Sequence, residues 1–129
     1  MRGLLRDDRG SSAVEFLLVS IVLTALTLGV VQLALAVYLR NLTQDAAVEG
    51  AYFAALADVE TAEGAARARA ILERAVGDGF VDSATARLVG RGDTAVVEVR
   101  VTTRLPIIGL FGIPEGWEVT ARAPLESLE

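Results

Sequence analysis

The sequence predicts an α+β protein: a long N-terminal transmembrane helix continuing outside the membrane, a short second helix, and a small antiparallel sheet of about three strands. Three observations carry this. From Phe16 to Leu39 there are 24 consecutive residues without a charge, 19 of them apolar. Between Ala65 and Val76 the apolar positions recur at helical spacing, and beyond Phe80 the period changes to two.

The first element follows from length. At about 1.5 Å rise per residue the uncharged stretch reaches roughly 36 Å, enough to cross a hydrocarbon core of about 30 Å with some tilt. Arg2, Arg6 and Arg9 precede it, whereas only Arg40 follows closely and the next arginine is Arg67. The positive-inside rule therefore places the N-terminus in the cytoplasm and the part after the span outside it. Within the span, Ser20, Thr24 and Thr27 share a helical face, and Ala25 and Gly29 are four apart. Such small or hydroxylated stripes permit close helix packing in lipid, although the hydroxyls can instead bond to carbonyls of their own helix. No breaker except Gly50 interrupts residues 40–57, so the helix is expected over 11–57.

Asp58 to Gly64 reads as an acidic break, and 58–129 as a small extracytoplasmic α+β domain. Ala65 to Val76 is the second helix, with Ala68, Ile71, Leu72 and Ala75 on one face, Glu63 and Arg67 spaced to pair, and Gly77 with Gly79 at its end. Ala84 to Val89 is a weak strand and Thr94 to Thr103 a strong one, with Val97, Val99 and Val101 facing one way and Glu98, Arg100 and Thr102 the other. Gly90-Arg91-Gly92-Asp93 between them has the residues a hairpin turn requires, which explains its Arg-Gly-Asp tripeptide without a receptor. Glu118 to Ala123 makes a third strand with Val119, Ala121 and Ala123 inward. So small a sheet is stable only if its apolar face packs on a helix. The apolar loop 105–113, with Ile107, Ile108, Leu110 and Phe111 between Pro106 and Pro114, is either core or a contact for another subunit or the membrane surface.

Composition narrows the chemistry. The 129 residues contain no cysteine and no histidine, so thiolate metal sites, disulfides and the commonest general base are excluded. All 12 basic residues are arginine, and 17 acids leave a net charge of −5, which disfavours a nucleic-acid partner. No carboxylate pair, phosphate loop or nucleophile motif stands out, so neither catalytic residues nor a cofactor nor a metal is expected.

The informative stretch opens the span: Arg9-Gly10-Ser11-Ser12-Ala13-Val14-Glu15-Phe16. Ser12 to Glu15 matches a helix capping box, and Glu15 suits the first turn of a helix. A carboxylate is costly as it approaches the bilayer centre, on a scale of about 2.5–3.5 kcal/mol, and is better tolerated beside a cation. Ala34-Leu35-Ala36 also looks like a signal-peptidase site, but the apolar segment far exceeds the 7 to 15 residues usual there.

The stretch resembles a type IV prepilin cleavage site, which implies cleavage on the cytoplasmic side between Gly10 and Ser11, leaving residues 1–10 as a leader peptide. Glycine lets the backbone lie extended in a narrow protease cleft. Ser11 then becomes the first mature residue and Glu15 the fifth. The freed α-amino group titrates near 8 when unperturbed, so it is a cation at neutral pH. In pilin-like assemblies the acid of one subunit is thought to meet such an amine of a neighbour, giving Glu15, with Phe16 beside it, an assembly role.

From Arg9 to Leu56 the chain further resembles the TadE-like family of small pseudopilins from tight-adherence (Tad/Flp) pilus systems. RGSSAVEF at Arg9–Phe16 and DAAVEGAYFAAL at Asp45–Leu56 carry the resemblance, and RLPIIGLFG at 104–112 fits it more loosely. The early proline common in that span is absent. The resemblance implies a pilin-like fold in a single-pass protein of the cytoplasmic membrane, entering an extracellular pilus after processing. Its partners would be the membrane, a prepilin peptidase and other pilin and pseudopilin subunits. The competing function is a small extracytoplasmic binding module, either anchored or secreted after a cut at Ala36.

Overall fold

The computed structural model describes residues 8–104 and 116–126, and the architecture is the expected α+β arrangement. Helix α1 covers Asp8–Ala54, α2 Thr61–Val76, and strands β1 Val81–Val89, β2 Val96–Thr103 and β3 Trp117–Pro124 form an antiparallel sheet in the order β1-β2-β3. Contacts divide the chain into two units, Met1–Val37 and Tyr38–Glu129.

In the first unit the described chain is the N-terminal part of α1. Every valine, leucine, isoleucine and phenylalanine from Val14 to Val37 is exposed, between 45% and 76%. In water such a surface would be strongly unfavourable, at about 25 cal/mol per Å² of apolar area. The helix fits a single-pass membrane segment by length and composition.

The second unit begins where α1 becomes one-sided. Leu39, Thr43, Ala46, Ala47, Gly50, Ala51 and Ala54 recur at helical spacing and are all buried. Thr43 satisfies its hydroxyl by donating to the Leu39 carbonyl at 2.8 Å. These residues share a core with Ala68 and Leu72 of α2 and with the inner sheet face, where Val101 pairs with Val119, Val99 with Ala121, and Val97 with Ala123. Among the described residues ten of the eighteen buried apolar ones are alanine, so the helices must approach closely for any of them to touch. The tightest point is Gly50 against Gly64. A β-carbon on Gly50 would run into the Gly64 carbonyl oxygen, and one on Gly64 would sit 2.5 Å from both the Ala54 β-carbon and the Gly50 carbonyl oxygen.

Several elements are longer or shifted relative to expectation. Helix α1 already includes Asp8 to Gly10, so Ser11 and Ser12 are helix interior rather than caps, and Glu15 lies beyond the first turn. It also stops at Ala54, short of the expected 57. Helix α2 starts at Thr61 because Glu63 is a favourable first-turn acid rather than part of a break. Its buried face runs through Gly64, Ala65, Ala68 and Leu72, with Ala75 exposed and Ile71 half-buried. Glu63 does not pair with Arg67; Arg67 instead reaches across to Glu49. Strand β1 extends back to Val81, and β2 begins at Val96 because a short 3-10 turn, Gly92–Thr94, lengthens the hairpin connection. Gly90 has φ +90, and a side chain there would strike the Thr94 carbonyl.

The segment after β3 closes the unit. Leu125 N–H donates to the Ala95 carbonyl at 3.1 Å, and Glu126 N–H donates to the Ala55 carbonyl at 3.0 Å, supplying a partner to one of the carbonyls orphaned at the end of α1.

Gly50→Val should lower the unfolding free energy of the second unit by about 1–3 kcal/mol, because the obstructing atoms are backbone. Gly29→Ala, with nothing within 4 Å of the added carbon, should leave it unchanged. Thermal melts of the detergent-solubilised chain check both; equal Tm values for Gly50→Val and the parent would contradict the close crossing.

Candidate processing and assembly site

Gly10 and Ser11 lie in the opening turns of α1, exposed, with no atom within 4 Å of the β-carbon position of Gly10. A helical peptide bond cannot enter an extended protease cleft, so cleavage after Gly10 requires the helix to open there. By contrast Ala34-Leu35-Ala36 sits deep in unbroken helix.

Glu15 and Phe16 are exposed, Phe16 at 76%. Among the described residues no arginine lies within ion-pair distance of Glu15. The Ser20 hydroxyl donates to the Phe16 carbonyl at 2.7 Å and the Thr27 hydroxyl to the Leu23 carbonyl at 2.8 Å. Both donors are thus consumed within the helix, and what these residues present outward is small size and acceptor oxygen. Thr24, Ala25 and Gly29 are exposed along the same element. The structure therefore strings Gly10, Ser11, Glu15, Phe16 and the small residues along one helix, with no second helix against them among the described residues. The proposed contact residues Ile107, Ile108, Leu110 and Phe111 lie outside the described residues.

The later stretch, Glu49-Gly50-Ala51, acquires a structural role. Arg67 of α2 donates to Glu49 Oε1 through Nε at 3.1 Å and Nη2 at 2.8 Å, and its guanidinium lies 4.9 Å from the centre of the Phe53 ring. Gly50 is the close crossing and Ala51 is fully buried. One turn of α1 thus carries an ion pair, a helix contact and a core residue.

Residues 10–51 match the TadE-like protein family. The TadE-like segment begins at the glycine before the expected cut and ends at Ala51, so it takes in both the head of the span and the turn that docks α2. It spans about a third of the chain and supports a protein associated with a Tad pilus. No curated protein and no solved structure matches the chain.

Outside the TadE-like segment, one polar constellation escaped the sequence. Glu98 does face away from the valines, but it is 1% exposed rather than solvated. In register, β1 places Arg87 and β3 places Arg122 on either side of it. Arg87 grips Oε1, with Nε at 2.8 Å and Nη2 at 2.6 Å, while Arg122 grips Oε2 at 2.8 Å and 2.7 Å. Arg100 stands 3.7 Å from Oε1 and 3.4 Å from Glu118. Hydrogen bonds from Arg122 and then Arg87 hold the Glu98 carboxyl below its ordinary range, outweighing the opposing effect of burial. Among the described residues no group of three or more Asp or Glu side chains converges.

Because the folded state lowers this pKa, Glu98 favours folding above the ordinary glutamate range near 4.3, and that contribution disappears as pH falls through the lower folded value. Acid titration of stability should therefore show a loss below about pH 4 that Glu98→Gln largely removes. An unchanged acid profile in Glu98→Gln would mean the triad is not coupled to folding.

Proposed function

We propose that this protein is a pseudopilin-like structural and assembly subunit of a Tad/Flp pilus, processed by a prepilin peptidase between Gly10 and Ser11. The observation that carries the reading is the family match, which starts at Gly10 on a helix whose large apolar side chains are exposed from Val14 to Val37. Three arginines before the span and one close after it favour a cytoplasmic N-terminus and an extracytoplasmic second unit.

Processing has a physical consequence. Removal of residues 1–10 moves the helix start to Ser11, turning Glu15 into a first-turn acid and creating an ammonium four residues before it. An ammonium and a carboxylate four residues apart can pair within one helix, and at staggered height the carboxylate of one helix can equally meet the ammonium of its neighbour. The stripe of Ser20, Thr24 and Thr27, whose side chains are small, gives neighbouring helices room to approach. The subunit acts by packing and carries out no catalysis.

The alternative, release of a binding module by a cut at Ala36, gains one point: the second unit begins at Tyr38 and would survive intact. The unbroken helix across Ala34–Ala36 weighs against it.

Intact-mass analysis from native membranes should give an N-terminus at Ser11; one at Val37 would establish the secreted module instead. Gly10→Leu should accumulate precursor. Glu15→Ala should remain membrane-embedded yet lose incorporation into pili, and normal incorporation would remove the role given to Glu15.

A further inference from the structure

The uncharged stretch ends at Leu39, and the next residue, Arg40, has no carboxylate partner among the described residues. Its guanidinium lies 5.9 Å from the ring centre of Trp117, the chain's single tryptophan, which β3 delivers from 77 positions further along the sequence. Around them is an open cavity of about 290 Å³ lined by Arg40, Gln44, Trp117, Glu118, Val119 and Thr120. Tyr38, just before Arg40, is 60% exposed.

We infer that this cavity is a docking site for a zwitterionic phospholipid headgroup of the bilayer that residues 16–39 cross. Depth supports it. Headgroups occupy roughly 5–8 Å on each side of the hydrocarbon core, and Arg40 is the first residue after the uncharged stretch, where that layer begins. Tryptophan and tyrosine concentrate at this level, where one end of the ring is apolar and the other wet. The chemistry supports it too. A planar guanidinium with free donors suits a phosphate, and the Trp117 ring fixes its plane. Glu118 adds an acid that disfavours a purely anionic headgroup and suits the ammonium of phosphoethanolamine. Arg100 contacts Glu118 at 3.4 Å through one oxygen, leaving the other for that amine. Headgroup capture would hold the β3 end of the sheet at the membrane surface.

The inference rests on the membrane-spanning reading of residues 16–39, and the test separates the two. Full-length protein is reconstituted in phosphatidylcholine–phosphatidylethanolamine vesicles containing a nitroxide on either the headgroup or the acyl-chain end. Alkaline carbonate should leave the protein in the vesicles; extraction would overturn the span and the site together. Trp117 emission should be quenched most by the headgroup nitroxide and little by aqueous iodide. Strong iodide quenching in a carbonate-resistant protein would overturn the site alone. Arg40→Gln should lose most of the headgroup quenching in phosphatidylethanolamine vesicles while staying carbonate-resistant, and unchanged quenching would remove the phosphate contact.

Discussion

The second unit depends on the contact of Gly50 with Gly64. Its core is built mostly of alanine and valine, side chains too short to bridge helices separated by the usual 8–10 Å. Such a core can be packed only if the backbones themselves come together, and the paired glycines permit this at the crossing of α1 and α2. From that contact follow the burial of Ala51, Ala54 and Ala68, the reach of Arg67 to Glu49, and the placing of Leu72 at 0% exposure. The same short side chains bury little apolar area each. The unit therefore also relies on ties that cost little space: the Glu126 bond to the Ala55 carbonyl, the Leu125 bond to Ala95, and the arginines around Glu98.

Helix α1 answers to two environments by changing which side chains it shows, not its conformation. Up to Val37 it displays large apolar residues on every side, which is what a hydrocarbon solvent asks of a lone helix. From Leu39 on, the buried stripe is narrow and small while Gln44, Asp45 and Glu49 face outward. The TadE-like match covers both halves of this change, from Gly10 to Ala51. The segment thus carries both the membrane helix and the residues that seat α2, which accounts for an Glu-Gly-Ala pattern so far from the span's head.

What the sequence made legible was whatever depends on periodicity along one element. Twenty-four uncharged residues announce the span, and Val97, Val99 and Val101 announce the buried face of β2; all three valines have 0% exposure. Periodicity assigns a face but says nothing about what covers it. Glu98 was placed correctly on the outer face, yet its burial comes from the side chains of two other strands, and that needs the register across a lengthened turn. Arg67 was matched to Glu63 by local spacing, whereas its partner lies 18 residues earlier across a helix crossing. Helical geometry before Ser11 is likewise invisible to spacing, because capping residues favour a helix start without enforcing one, and Asp8 to Gly10 contain no proline.

Two carboxylates show how differently the described fold surrounds an acid. Glu98 sits in the middle strand with an arginine fixed on each oxygen, so its charge is neutralised within the fold and its geometry is set by strand register. Such an arrangement is costly to break, because removing one cation leaves the other side of a buried charge uncompensated. Glu15 stands on a helix with no arginine in ion-pair range among the described residues, near the edge of a segment where an isolated charge is disfavoured. The difference is one of surroundings: strand register brings arginines to both oxygens of Glu98, whereas the single helix around Glu15 brings no ion-paired arginine among the described residues.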